Sequence, residues 1–179
     1  MAKHESATLG GGCFWCLDAF YRRVEGVKAV RSGYSGGHTK NPTMAEVYGG
    51  GTGHAEVVQL KFDPSAISYG EILEIFFVMH DPTTLNRQGN DVGEEYRSVI
   101  FYHDDEQKKI AAHKIKDFAD KLWSDPITTQ VVPFEKFWPA GKDQQDFYDK
   151  NPGVGYCQVV IEPKIQKLRQ KFASKLKPL

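Results

Sequence analysis

The sequence predicts an α+β domain in which a split β-α-β sheet packs against two helices. Three observations carry that expectation. The 179 residues are about 1.2 times the ~150-residue prior for a domain, so one unit spanning 1–179 is expected. Hydrophobic residues make up 40% and aromatics 12%, enough apolar surface for a core and too much for a disordered chain, collagen or a small disulfide scaffold. Along the first two thirds of the chain, alternating and helical hydrophobic periods follow one another as strand, helix, strand, strand, helix, strand.

Residues 5 to 9 form the first strand, ending in Gly10-Gly11-Gly12, after which Phe14, Leu17, Phe20, Tyr21 and Val24 recur at helical spacing. Gly26 stops that helix, and Val27 to Tyr34 alternates as a second strand before the turn Ser35-Gly36-Gly37. Asn41-Pro42-Thr43 opens one or two helical turns through Tyr48. Ala55 to Phe62 alternates as a third strand that Asp63-Pro64 ends. Ser68 with Glu71 is a capping-box pair for a helix from Tyr69 to His80. After a polar loop from Asp81 to Tyr96, Val99 to Tyr102 is the fourth strand, and Asp104 with Gln107 caps a helix running to Trp123. This order is the ferredoxin-like plan. The extra C-terminal segments read as a strand at Thr128 to Val132, a short aromatic helix around Phe147 and Tyr148, and a strand at Tyr156 to Ile161. A tail helix over 164–177 then sets Ile165, Leu168, Phe172 and Leu176 on one stripe with lysines opposite.

Lysine plus arginine (23) balances aspartate plus glutamate (23), so no long-range field points to nucleic acid or a membrane surface. The basic tail reads as a docked helix with a solvated face. The longest apolar stretch, Ile72 to Met79, is interrupted by Glu74 and falls far short of the ~20 residues of a membrane span. Three cysteines leave an odd one over, which argues against a disulfide framework, and no apolar segment of a secretory signal opens the chain. A reduced, cytoplasmic protein is expected.

The densest chemical signal is Gly12-Cys13-Phe14-Trp15-Cys16 at the first strand-to-helix turn. A thiol there faces unpaired backbone N–H groups and the positive end of the helix dipole, which favour thiolate; lowering a thiol pKa from ~8.5 to about 7 raises the ionised fraction up to roughly fifteenfold. Cys13, nearer the helix end, is the better nucleophile, and Cys16 at i+3 lies where a disulfide can close with modest adjustment. A hydrophobic wall from Phe14 and Trp15 beside that sulfur suits an apolar, sulfur-bearing substrate. No metal site is expected, because three cysteines without a second paired motif fall short of a ligand set. The histidines form no ligand pair, although His54 adjoins Glu56.

GCFWC is followed by GYSGG at 33 to 37, NPT at 41 to 43, GTGHAE at 51 to 56, HDPTT at 80 to 84, RQGND at 87 to 91, YRS at 96 to 98 and NPGVGYC at 151 to 157. Over residues 7 to 157 this series resembles the type A peptide methionine sulfoxide reductases. The resemblance implies reduction of methionine S-sulfoxide, free or in proteins. Cys13 would attack the sulfoxide sulfur and become a sulfenic acid, one rung of the cysteine oxidation ladder. Glu56 would be the acid that protonates the departing oxygen, its proton retained by an apolar setting. By the same resemblance Asp91 and Tyr96 orient oxygen and solvent, Phe14 and Trp15 receive the S-methyl group, and Cys157 resolves the sulfenic acid from a recycling loop around 151–157. The implied reductant is thioredoxin, or dithiothreitol in vitro, with no bound cofactor.

The chain departs from the family at Met44, where NPTM replaces NPTY. If Thr43 to Tyr48 is helical, Tyr48, four residues on, shares the face of Met44 and its hydroxyl can stand in; the alternative is that one tyrosine suffices and catalysis is weaker. Two cysteines, Cys16 and Cys157, compete for the resolving role. The main alternative is a general thiol–disulfide oxidoreductase, which C-x-x-C near a β-α-β unit suggests; bulky Phe14-Trp15 between the thiols and the β-β-α-β continuation argue against it.

Overall fold

The computed structural model describes residues 3–178, so the ends of the expected 1–179 unit, Met1, Ala2 and Leu179, lie outside the described residues. Strand β1 (Glu5–Gly10) leads into helix α1 (Phe14–Tyr21), then strand β2 (Val27–Ser35), the short helix α2 (Met44–Tyr48), strand β3 (Ala55–Phe62) and helix α3 (Tyr69–Met79). A hairpin of β4 (Arg87–Gln88) and β5 (Asp91–Val92) and a 3₁₀ turn (Glu94–Tyr96) order the long polar segment before β6 (Val99–Tyr102). The backbone turns at Gly89, whose φ of +57° suits glycine.

β6, β1, β3 and β2 lie side by side with antiparallel neighbours, which leaves β1 parallel to β2 and β3 parallel to β6 with one strand between. Helices α1 and α3 make those two crossovers, so the α+β, ferredoxin-like expectation holds. Two additions lengthen the sheet. β7 (Gln130–Pro133) pairs parallel with β6, and β8 (Trp138–Pro139), absent from the sequence reading, pairs with β2.

The cap expected at Ser68 forms, and a second capping box, not read from the sequence, starts α2. Ser68 and Glu71 make reciprocal bonds at the start of α3, and Thr43 with Glu46 do the same for α2. Asp104 caps α4 (Asp105–Lys114), which passes through a π turn at Ile115–Ala119 into a last turn, α5 (Asp120–Leu122).

The C-terminal region corrects the sequence reading. Tyr156 to Ile161 is helical, not a strand: a turn beginning at Gly155 widens into a π turn over Cys157–Ile161 and continues as α7 (Glu162–Phe172). The β-branched run Val159-Val160-Ile161 suggested extension, but Cys157, Ile161, Ile165 and Leu168 are the buried positions and Val159 is 75% exposed, which is helical spacing. Pro163 would clash with the carbonyl of Val159 in an unbroken α-helix, and the wider turn just before it relieves that clash.

The recycling loop expected at 151–157 therefore extends only to about Val154, and Cys157 is fully buried on the helix. The tail helix ends at Phe172 rather than 177, with Ala173–Lys175 as a 3₁₀ turn and Leu176 bridging Val24. Its basic face is not simply solvated, since Lys167 donates to the Val78 carbonyl and Lys175 pairs with Glu71.

Helix α1 is buried on nearly every side, including Cys16, Leu17, Phe20 and Tyr21. A helix covered all round needs partners on both faces. The sheet supplies one; α6 (Phe147–Lys150) and the C-terminal helix supply the other. Asp18 ties this layer down, its buried carboxylate accepting from Arg22 Nε and from the Asp146 N–H, both at 2.8 Å.

Candidate active site

Cys13 is the N-cap residue of α1, with extended backbone. It follows Gly12, whose φ of +95° is a left-handed conformation favouring glycine, and a Cβ there would lie 2.7 Å from Gln88 Cγ. The glycine thus brings the β4–β5 hairpin against the cysteine turn. Gln88 locks the hairpin by accepting the Asp81 N–H and donating to the Asp81 carbonyl, both at 2.9 Å. Cys13 is 7% exposed and opens on a cavity of about 360 Å³ lined also by Gln88, Asp91, Tyr156, Val160 and Lys164.

Beside it stands Glu56 on β3, fully buried, its Oε1 accepting the Phe14 N–H at 3.1 Å and its Oε2 without a partner. Register sets Glu56 opposite Tyr34 of β2, and Tyr34 packs on Phe14 with ring centroids 5.6 Å apart. Burial pushes the Glu56 carboxyl up to about 8; the Phe14 N–H pulls the other way, and Glu95 and Asp91 add to the rise. At neutral pH this carboxyl carries a proton.

The expected resting thiolate at Cys13 is corrected. Burial, with smaller contributions from Glu56 and Cys16, holds the Cys13 thiol well above its ordinary range. Loss of water at the buried sulfur outweighs the helix end, where the Trp15 N–H is the group that favours thiolate. The resting site is therefore a thiol beside a carboxylic acid.

Capping by Thr43 aims α2 so that Tyr48, 46% exposed, lies with its ring 6.5 Å from that of Tyr96, and both hydroxyls are held protonated by burial with Glu56 nearby. Met44 is half-buried against the core. The expected constellation Cys13, Glu56, Tyr96, Asp91 and Tyr48 is thus brought together from α1, β3, the 3₁₀ turn, β5 and α2. The aromatic pair divides: Phe14 is fully buried, while Trp15 is half-buried, stacked on Phe147 at 3.7 Å with Tyr156 edge-on at 5.7 Å. Trp15 Nε1 donates to Gln144 Oε1 at 2.9 Å.

Sequence reasoning missed Tyr156. Its hydroxyl donates to Asp91 Oδ2 at 2.8 Å and lies 3.7 Å from Cys16 Sγ. Its position beside Cys157 in Gly155-Tyr156-Cys157 was the available signal. Lys164, read as part of a solvated face, also turns into the Cys13 cavity. Cys13, Cys16 and Cys157 are all free thiols; burial raises each of them, and Cys13 and Cys157 both lie close enough to Cys16 to feel its charge. His54 is structural: its Nδ1 accepts the Gly37 N–H at 3.0 Å and its Nε2 faces the Thr39 carbonyl at 2.7 Å. Among the described residues no three His, Cys, Asp or Glu side chains converge as a metal site, and no helix is long and apolar enough to cross a membrane.

The family model described as peptide methionine sulfoxide reductase matches residues 5–176. A relative from Sulfolobus acidocaldarius, peptide methionine sulfoxide reductase MsrA, is 57% identical over 171 residues, 96% of this chain and 97% of its own length. The crystal structure of Mxr1 from Saccharomyces cerevisiae in reduced form superposes with a TM-score of 0.81 at 36% identity, covering 87% of this chain and 90% of that one. The same yeast protein in complex with Trx2 gives a TM-score of 0.58 at 28% identity, covering 81% and 85%.

Proposed function

Because this chain belongs to the peptide methionine sulfoxide reductase family, it is a thiol-dependent methionine sulfoxide reductase, and we propose that Cys13 is its attacking sulfur and Glu56 its general acid. The observation that carries this assignment is the unpaired, buried Oε2 of a protonated Glu56 beside the cavity-facing Cys13. A sulfoxide oxygen leaves poorly unless protonated, and a carboxyl kept neutral at pH 7 can donate to it. Protonation makes the substrate sulfur electrophilic, so Cys13 attacks as it loses its thiol proton, which restores Glu56. A Cys13 sulfur–substrate sulfur bond forms and then breaks, the oxygen ends on Cys13 as a sulfenic hydroxyl, and methionine leaves reduced by two electrons. Tyr48 and Tyr96, both protonated, donate to the oxygen in transit, with Tyr48 supplying the hydroxyl that Met44 lacks. Asp91 orients solvent, and the Trp15 and Phe14 side receives the methyl group.

Cys16 closes the first disulfide with Cys13 in this reading, and Cys157 takes over by thiol–disulfide exchange. For Cys157 that requires its helical turn to unwind, a change that the wide turn and the β-branched Val159 and Val160 make less costly. The yeast relative's complex with Trx2 favours thioredoxin as the electron donor, and the chemistry draws its electrons from thiols without a bound cofactor. A reducing compartment, the cytoplasm, suits such a donor. The epimer consumed is the test of the reductase reading. Racemic dabsyl-methionine sulfoxide with dithiothreitol, resolved on a chiral column, loses only the S epimer; consumption of both, or of neither, defeats the assignment. A general thiol–disulfide oxidoreductase would instead reduce insulin-type disulfides and leave sulfoxide intact.

A further inference from the structure

We infer that Tyr156 and Asp91 form a proton conduit for the resolving step, taking the proton of Cys16 as Cys16 attacks the sulfenic acid on Cys13. The inference rests on the reading of Cys13 as the sulfur that becomes sulfenic. Its geometry is a chain of three groups from three elements: Cys16 Sγ on α1, Tyr156 Oη on the C-terminal helix at 3.7 Å, and Asp91 Oδ2 on β5 at 2.8 Å from that oxygen. The Tyr156 O–H donates to the carboxylate, so its oxygen lone pair faces the Cys16 S–H. The sense of both hydrogen bonds therefore runs from thiol to carboxylate.

Such a route answers a specific difficulty. Cys16 is 2% exposed, and burial raises its thiol above the ordinary range, so water does not remove the proton. The groups around it are Tyr156 and Cys157 from the C-terminal helix, Lys164 further along that helix, Asp91 from the hairpin and Cys13 from its own turn, with Glu56 acting on Cys13. Asp91 is the carboxylate to which a hydrogen-bonded path from Cys16 leads, while Lys164 favours the thiolate as it forms.

The step balances. The sulfur electron pair of Cys16 makes the S–S bond to Cys13, and the Cys13 S–O bond breaks with its pair leaving on oxygen. The Glu56 proton converts that hydroxide to water, the Cys16 proton passes to Tyr156 as the Tyr156 proton passes to Asp91, and solvent returns a proton from Asp91 to Glu56. Two sulfurs are joined, and one water is released.

The test uses Cys157→Ser protein, in which Cys13 and Cys16 alone can close, with and without Tyr156→Phe, which keeps the ring against Trp15. One equivalent of methionine sulfoxide is turned over in the presence of dimedone, and the ratio of dimedone adduct on Cys13 to Cys13–Cys16 disulfide is read by mass spectrometry across pH. Loss of a general-base route predicts that Tyr156→Phe raises this ratio by at least about tenfold near pH 6.5 and that the rise shrinks steadily as pH increases and hydroxide becomes a competing base. A ratio unchanged at every pH, or raised by one factor at all pH values as simple misplacement would do, overturns the inference. A parallel arm makes the sulfenic acid with hydrogen peroxide, so failure of sulfoxide reduction would strike the assignment of Cys13 without blocking this measurement.

Discussion

Replacing Glu56 by Gln separates the acid's chemistry from its structural bond. The Gln carbonyl still accepts the Phe14 N–H that Oε1 accepts at 3.1 Å, so the cysteine turn keeps its anchor. The variant loses the donated proton, which in general acid catalysis is worth roughly 10²–10⁴ in rate, read as methionine released in a single turnover. Stability moves the other way, with a definite pH dependence. The folded carboxyl titrates at about 8 against 4.5 unperturbed, so folding at pH 7 forces a proton onto a group that is ionised in the unfolded chain. At 1.36 kcal/mol per unit over about 2.5 units, that costs about 3 kcal/mol. The sign follows from the raised pKa: the carboxyl's favourable contribution is complete below about pH 4.5 and is lost as pH rises through about 8. Glu56→Gln has no such titration, and its amide leaves the same position unpaired that Oε2 leaves. Urea unfolding should therefore find the variant gaining about 3 kcal/mol on the parent between pH 4.5 and 7. A stability difference that stays constant with pH, or a rate loss below about tenfold, would refute the argument that a buried neutral Glu56 supplies the proton.

Tyr48→Phe should lower the single-turnover rate by about tenfold, less than the 10²–10³ of a fully enclosed oxyanion donor because the ring is half exposed; an unchanged rate would leave Met44 without a substitute. Gly12→Ala should cost about 1–3 kcal/mol in thermal or urea unfolding, since alanine must take φ near +95° and meet Gln88. Asp18→Ala removes a 1% exposed carboxylate that holds both Arg22 and the Asp146 N–H, and a loss of about 3 kcal/mol is expected. Because Asp146 precedes the Phe147 ring stacked on Trp15, the same variant should raise KM for methionine sulfoxide peptides more than it lowers kcat.

Local chemistry made the central architecture legible. Alternation in 27–34 and 55–62, the Ser68/Glu71 box, the Asp104 cap and the glycine turn before Cys13 are short-range signals, and the described elements follow them closely. β8 carried no such signal, because a two-residue edge strand is defined by the partner it finds rather than by a period of its own. Residues 156–161 misled for a related reason. Their β-branched side chains favour extension in isolation, and only packing of Cys157 and Ile161 against the core selects the helix.

At the site, the sequence by itself pointed to a nucleophilic sulfur through the cysteine that ends a glycine turn, and to Glu56 in GHAE only through the resemblance that the strings from 7 to 157 carry. Protonation was decided by the tertiary structure alone. Cys13 is a thiol rather than a thiolate, Glu56 is neutral, and Tyr156 links Cys16 to Asp91, because each depends on how much water the packed sheet, hairpin and C-terminal helix leave around the group, a quantity that no stretch of sequence encodes locally.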